Sequence, residues 1–283
     1  MRDNQQPFIG SEALAAGTLS RYELRRHYRA IMPNVYLDKR TELTLHRRTV
    51  AASLWSGRDA VVAGLTAAAL HRSKWIDDDS PVELIWGNAR PPSGVVTRDD
   101  LLLPGEFERR GGLPVTTADR TAFDLGRRGR IGMAVARLDA LAAATRFRPS
   151  DVVDLAAGHR HTRGLRQLER ALDLMDAGAE SPKETWLRLL VLGDGYPRPR
   201  TQIPVPKPDG FGFYYLDMGW EDIVLALEYD GGQHWDNPKR VAYDIERAEY
   251  IHDLGWNVVR VTKRHQPFDV LTRVRRAWDK ATR

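Results

Sequence analysis

The chain of 283 residues contains no cysteine. Disulfides, thiol nucleophiles and thiolate metal sites are excluded together, which suits a reducing cytoplasm. Any metal has to be held by carboxylate, carbonyl or imidazole groups, a donor set that favours magnesium or manganese over structural zinc. No apolar run approaches the roughly 20 residues of a membrane helix. The polar start, Met1 to Gln6, lacks the basic-then-apolar order of a secretory signal. The expectation is a cytoplasmic protein with no membrane partner. Glycine-rich phosphate loops and a Gly-x-Ser-x-Gly elbow are missing too, as are repeats and low-complexity tracts.

What is present has globular proportions, with 42% hydrophobic and 29% charged residues. The length exceeds most single cores, so more than one domain is expected. The net charge of +5 suits a polyanionic partner.

Ser11 and Ser20 are positioned to cap two short helices separated by Gly17, the second running to about Ala30. On it Leu24, His27, Tyr28 and Ile31 recur at helical spacing and form the inward face. Arg21, Arg25 and Arg29 step by four along another ridge, with Arg26 adding charge. Such a ridge fits phosphates and a guanine edge in the major groove, or simply a solvated basic face. Pro33-Asn34 turns the chain into the extended Val35-Tyr36-Leu37. The order is that of an abbreviated winged helix over residues 1–40.

Helical patterns follow at Leu43 to Trp55 and Ala60 to Ile76. Extended pieces are expected at Val82 to Trp86, Gly94 to Thr97 and Leu113 to Thr117, and helices from there to Met175. His159-Arg160-His161 reads as a phosphate-facing or merely exposed basic turn rather than a metal site, since no carboxylate adjoins it in sequence. The small polar stretch Ala177 to Pro182 marks a boundary, giving 41–178 and 179–283 as further domains. The last segment reads α-β-β-β-α-β-α, an α/β sandwich. The fold class expected is thus α+β with a mainly helical N-terminal region and a sheet-based C-terminal domain.

In the strand Val224 to Asp230, Glu228 and Asp230 share one face. Carboxylates on an otherwise apolar strand cost several kcal/mol unless a cation or donors compensate. Asp217 ends the preceding strand. A tight loop centred on Trp220 and Glu221 would set Asp217 opposite Val224, short of Glu228, so a bulge, strong twist or other register is required.

Glu184 at a helix start, Asp217, Glu228-Tyr229-Asp230-Gly231, His234, Asp244 and Arg247, and Gly255-Trp256-x-Val-Val-Arg260 resemble the very-short-patch-repair (Vsr) endonuclease-like branch of the PD-(D/E)XK nucleases, from about Ser181 onward. That resemblance implies magnesium- or manganese-dependent hydrolysis of DNA. Asp217 and Glu228 would be the metal ligands, Glu184 an outer-shell group and His234 the general acid or base. Where the wider class has lysine this chain has Asp230, and Arg247 or Lys239 is the available substitute. Structural explanations stand beside these: Glu184 completes a Ser-x-x-Glu capping box, Asp230-Gly231 is a turn dipeptide, and Asp244 and Arg247 form a helical ion pair.

The basic helix with Pro33-Asn-Val-Tyr36, Ala67-Ala-Ala-Leu70-His71 and Leu113 to Asp124 are similar to AbiEi-type antitoxin regulators. That similarity implies promoter binding and a cognate toxin partner. Two functions therefore compete: a DNA endonuclease, and a non-catalytic regulator retaining the nuclease fold. The oligomeric state is left open.

Overall fold

The computed structural model describes residues 6–88, 90–231 and 238–283. They form an α+β protein with eleven α-helices and three sheets. Two compact units divide the chain: residues 1–129 with 141–173, and residues 130–140 with 174–283. Among the described residues no helix is long and apolar enough to cross a membrane.

The first unit begins with β1 (Phe8–Ile9), α1 (Gly10–Ala15), α2 (Arg21–His27), β2 (Tyr28–Met32) and β3 (Val35–Asp38). The strands pair antiparallel in the order β1-β3-β2. Ser20 and Glu23 close a reciprocal capping box at the start of α2, and Lys39 Nζ donates to the carbonyls of Arg25 and Arg26, 2.9 Å each, at its end. A cation there satisfies last-turn carbonyls and complements the helix dipole.

Helix α2 stops at His27, three residues short of the length its pattern predicts. Tyr28 turns extended and pairs with Asp38. A helix of two turns cannot sustain itself, and the hairpin partner wins. Arg29 consequently lies on β2, donating to the Thr41 carbonyl at 2.8 Å, and does not continue the ridge of Arg21 and Arg25.

Next come α3 (Leu45–Trp55), β4 (Val61–Val62), α4 (Gly64–Leu70), β5 (Val82–Ile85), β6 (Val95–Arg98), β7 (Phe107–Arg110), β8 (Leu113–Thr116) and α5 (Ala118–Gly126). The helix expected from Ala60 is overturned at its start. Val61 and Val62 form the central strand of a mixed sheet, β6-β5-β4-β8-β7, where β-branched residues pack well on both faces. Three helices follow, α6 (Ile131–Thr145), α7 (Pro149–Ala157) and α8 (Leu165–Leu174), of which α6 as far as Ala140 belongs to the second unit.

The second unit contains α9 (Pro182–Gly193), β9 (Arg200–Pro206), β10 (Phe213–Trp220), β11 (Leu225–Asp230), α10 (Pro238–Asp253), β12 (Asn257–Thr262) and α11 (Pro267–Ala281). Its mixed sheet runs β12-β11-β10-β9, with β11 and β12 parallel and the other pairs antiparallel. Helices cover both faces. Met218, Trp220, Leu225 and Leu227 pack with Leu187 and Val191 of α9 and Val270 and Val274 of α11. Ile203, Val205, Leu216 and Ala226 pack with Ile251 of α10. Each fully buried aliphatic side chain contributes about 1.5–3 kcal/mol.

Candidate active site

The β10–β11 connection decides where the acids fall. Glu221–Ile223 form a single 3-10 turn, and Val224 closes it in the left-handed region at φ 51°. The loop is longer than a tight hairpin, and pairing resumes as Trp220 with Leu225, Gly219 with Ala226 and Met218 with Leu227. Continued by one step, that register would bring Asp217 level with Glu228. Gly219 is needed for this approach: a Cβ there would stand 2.3 Å from the Leu225 carbonyl oxygen. The register that a tight loop forbids is thus supplied by a four-residue connection, two residues longer than the tight loop, and one glycine.

At Asp217 the ladder forks. Its Oδ2 accepts the Tyr229 N–H at 2.7 Å, a donor that would otherwise serve a strand carbonyl. Leu216 and Met218, two residues apart, belong to opposite faces of the sheet, so the strand's alternation breaks here, and Gln202 of the neighbouring strand has φ 50°. Beyond the fork β10 follows β9, while β11 follows β12 with Glu228 beside Arg260 and Asp230 beside Thr262. A cleft of about 440 Å³ opens between the diverging strands, lined by Asp217, Glu228, Asp230, Asp244, Arg247 and Arg260 among others.

Glu228 is buried and paired. Arg247 Nη2 donates to its Oε1 at 2.7 Å and to the Tyr215 carbonyl at 2.8 Å. Arg260 Nε stands 3.7 Å from Oε2. Burial pushes the Asp217 carboxyl up to about 7; the Tyr229 N–H and the Arg247 guanidinium pull it down, and the charges of Glu184 and Glu228 push it up. Arg247 is held above the usual guanidinium value: burial works against this, but the bond and charge of Glu228 and the charge of Asp217 outweigh it.

Glu184 fulfils the capping reading. Its N–H donates to Ser181 Oγ, while its carboxylate accepts from the Ser181 hydroxyl and the Glu180 N–H at 2.8 Å each. Burial raises its pKa against those two bonds. Because its charge is felt at Asp217, it joins the electrostatics of the cleft without lining it. Asp230 is exposed at the end of β11. Asp244 is exposed, and Arg247 turns to Glu228 instead of pairing with it. His234 lies outside the described residues.

Sequence reasoning missed Arg260 as a site residue. The signal was present, since a parallel in-register neighbour of an acidic strand position shares its face. His159 corrects the reading of an exposed turn. It is buried, with Nε2 2.6 Å from Glu106 Oε1, a pairing across 53 residues that local pattern cannot reveal.

For a metal, Asp217 and Glu228 supply hard oxygen donors lining one cleft, at a site poor in compensating charge for Asp217. Magnesium is ordinarily held by one or two carboxylates with several waters, so this pair fits. Among the described residues no three His, Asp or Glu gather closely enough to hold an ion together.

On the first unit, Arg21, Arg25 and Arg26 are exposed along α2. Tyr22 is exposed too, with the Arg26 guanidinium over its ring at 5.6 Å.

Fold and site define an α+β protein whose second unit opens an acid-lined, arginine-flanked cleft at the fork of a mixed sheet. No family model matches the chain. It is similar to two proteins of Mycobacterium tuberculosis, uncharacterized protein MT2308 of strain CDC 1551 / Oshkosh and uncharacterized protein Rv2248 of strain ATCC 25618 / H37Rv. Each is 28% identical over 241 residues, which cover 83% of this chain and 87% of the relative.

Proposed function

We propose that the second unit hydrolyses DNA phosphodiester bonds with a divalent cation held by Asp217 and Glu228. The observation that supports this reading is that Asp217 and Glu228 line one cleft, just past the last β10–β11 pair, Met218 with Leu227. A bound magnesium or manganese ion would polarise the phosphoryl oxygen and acidify its water. Arg247 and Arg260 then stand beside Glu228 to stabilise charge that builds on the phosphate, the role left open by Asp230. Glu184 keeps the field at Asp217 negative and so favours a cation.

Residues 1–40 are read as an abbreviated winged helix that carries the chain to DNA. Two short helices, the second capped by Ser20 and the first starting at Gly10 without the Ser11 cap its sequence suggests, a hairpin and the exposed Arg21, Arg25 and Arg26 support it. A second reading keeps DNA binding without turnover. It draws on the Arg247 guanidinium already neutralising Glu228.

One assay separates them. Supercoiled plasmid with magnesium or manganese is expected to be nicked by the wild type and at least about a thousand-fold more slowly by Glu228→Gln and Asp217→Asn. Nicking that survives both substitutions overturns the hydrolase, and a wild type that shifts DNA but never nicks it supports the regulator. Arg25→Ala should weaken that shift and lower its salt slope by about one.

A further inference from the structure

We infer that Arg247 is the resting counter-ion of the cleft, and that its guanidinium and a divalent cation exclude one another at Glu228. The inference rests on the metal role proposed for Asp217 and Glu228 and states what governs entry to that site.

The Arg247 side chain is lodged across the fork. A single nitrogen, Nη2, donates both to Glu228 Oε1 on β11 at 2.7 Å and to the Tyr215 carbonyl on β10 at 2.8 Å. The guanidinium carbon lies 5.8 Å from the centre of the Tyr214 ring. Strand β11 has β10 on one side and β12 on the other, and the two oxygens of Glu228 divide between them. Oε2 has Arg260 of β12 at 3.7 Å. Oε1 shares its donor with a β10 carbonyl, which puts it on the side of Asp217, two residues along β10 from Tyr215.

That division makes the two cations rivals. An ion held jointly by Asp217 and Glu228 needs the β10-side oxygen of Glu228, the one that Arg247 already holds. Two positive charges on one oxygen repel strongly where water is scarce. A buried carboxylate stripped of its cation is equally costly, so Arg247 answers Glu228 for as long as no ion does. The surroundings permit the exchange. Arg247 lines an open cleft, keeps the Tyr214 ring and the Tyr215 carbonyl as holds when Oε1 is given up, and meets in a phosphate oxygen a replacement anion that suits its fork. The arginine is thus released towards phosphate by the same event that fills the metal site.

Manganese binding to the full chain without DNA, read from the loss of the free-ion signal in electron paramagnetic resonance, tests this. Arg247→Gln keeps a donor for the Tyr215 carbonyl without the charge, and it should bind manganese roughly ten-fold more tightly than wild type. Arg260→Gln removes a positive charge beside the same acid but off the contested oxygen, and should change the affinity less than about two-fold. In EDTA the Arg247→Gln variant should melt below wild type, and manganese should raise its melting temperature further than that of wild type. Should that variant fail to fold, Arg247→Lys, which keeps the charge on a single-point donor, is expected to bind manganese more tightly than wild type. Unchanged or weaker binding on loss of Arg247 overturns the exchange. Equal tightening at Arg247 and Arg260 does so too, because it would reflect net charge alone, as does a chain that binds no manganese in any of these forms. Tighter binding in Arg247→Gln with no plasmid nicked by wild type removes the hydrolase alone. Nicking by a wild type whose manganese affinity is indifferent to Arg247 removes the exchange alone.

Discussion

The first and second units each contain an arginine–carboxylate assembly, and the two are built to opposite ends. In the first, Arg120 bonds Asp124 Oδ2 at 3.1 Å, Glu106 and the Leu101 carbonyl. Glu106 is completed by His159 and the Leu103 N–H, and Asp124 by Arg127 at 2.8 Å and Arg128 at 3.2 Å. The Phe123 ring lies 5.4 Å from the Arg120 guanidinium and 5.1 Å from that of Arg127. Every carboxylate there has a cation, and Glu106 and Asp124 are buried. In the second, Asp217 has one backbone donor, two acidic neighbours and a pKa pushed up to about 7 by burial, and it faces open space. The same residue types make a staple where each charge is answered and an open acid-lined cleft where one is left short. Perturbed acids in a cleft are the commoner mark of chemistry.

The largest effect expected from this contrast is at Arg120. Replacing it by methionine leaves Glu106 and Asp124 with less compensation at buried positions, and breaking one side of such an assembly costs about 3–5 kcal/mol. A domain with about 5–15 kcal/mol in total is left marginal. Urea unfolding followed by tryptophan fluorescence measures it. A loss under 1 kcal/mol would mean that Arg127, Arg128 and His159 suffice, and the staple would be redundant.

Asp217 should respond in the opposite sense. Its folded pKa of about 7 lies above the usual unfolded value near 3.9. Between those values the folded state holds more protons than the unfolded one, so this group removes stability as pH rises from about 4 to 7 and the penalty is constant above. Asp217→Asn should match wild type near pH 4 and exceed it by about 2–4 kcal/mol at pH 8, the upper bound being discounted for the open side of the cleft. Urea midpoints at the two pH values give the result. A variant less stable than wild type at pH 8 would show Asp217 to be as well satisfied as Asp124.

The two assemblies were not equally legible in the sequence. The elements of the second unit follow from period and capping: Asn257 to Thr262 is a strand to the residue, and Ser181 with Glu184 marks the start of α9. Glu228 stood out as an acid on an apolar strand. Its meeting with Asp217 in one cleft followed only from the family resemblance, because the register depends on a turn that uses left-handed Val224, an unusual conformation for a β-branched residue. The staple was invisible for a related reason. Glu106, Arg120 and His159 are brought together only by tertiary contact, and the basic run around His159 resembles a solvated turn. Misreadings in the first unit, at Arg29 and at Val61-Val62, fall where strand pairing overrides a short helical pattern.

The smallest effects separate the two arginines that hold Glu228. Arg247 is half-buried, bonds Glu228 at 2.7 Å and also satisfies the Tyr215 carbonyl, while Arg260 is exposed and 3.7 Å away. Removing Arg247 as methionine takes a cation from a buried acid and from Asp217 together, with a cost of about 1–3 kcal/mol. Water entering the cleft limits the loss below that at Arg120. Arg260→Gln removes a solvent-screened charge and should cost less than about 0.5 kcal/mol. If Arg260 acts on a bound phosphate and not on the resting fold, the same substitution should slow plasmid nicking well beyond its effect on stability, and added salt should narrow the gap. Equal losses in stability for the two variants would mean that Glu228 shares its charge evenly. The cleft would then be a second staple.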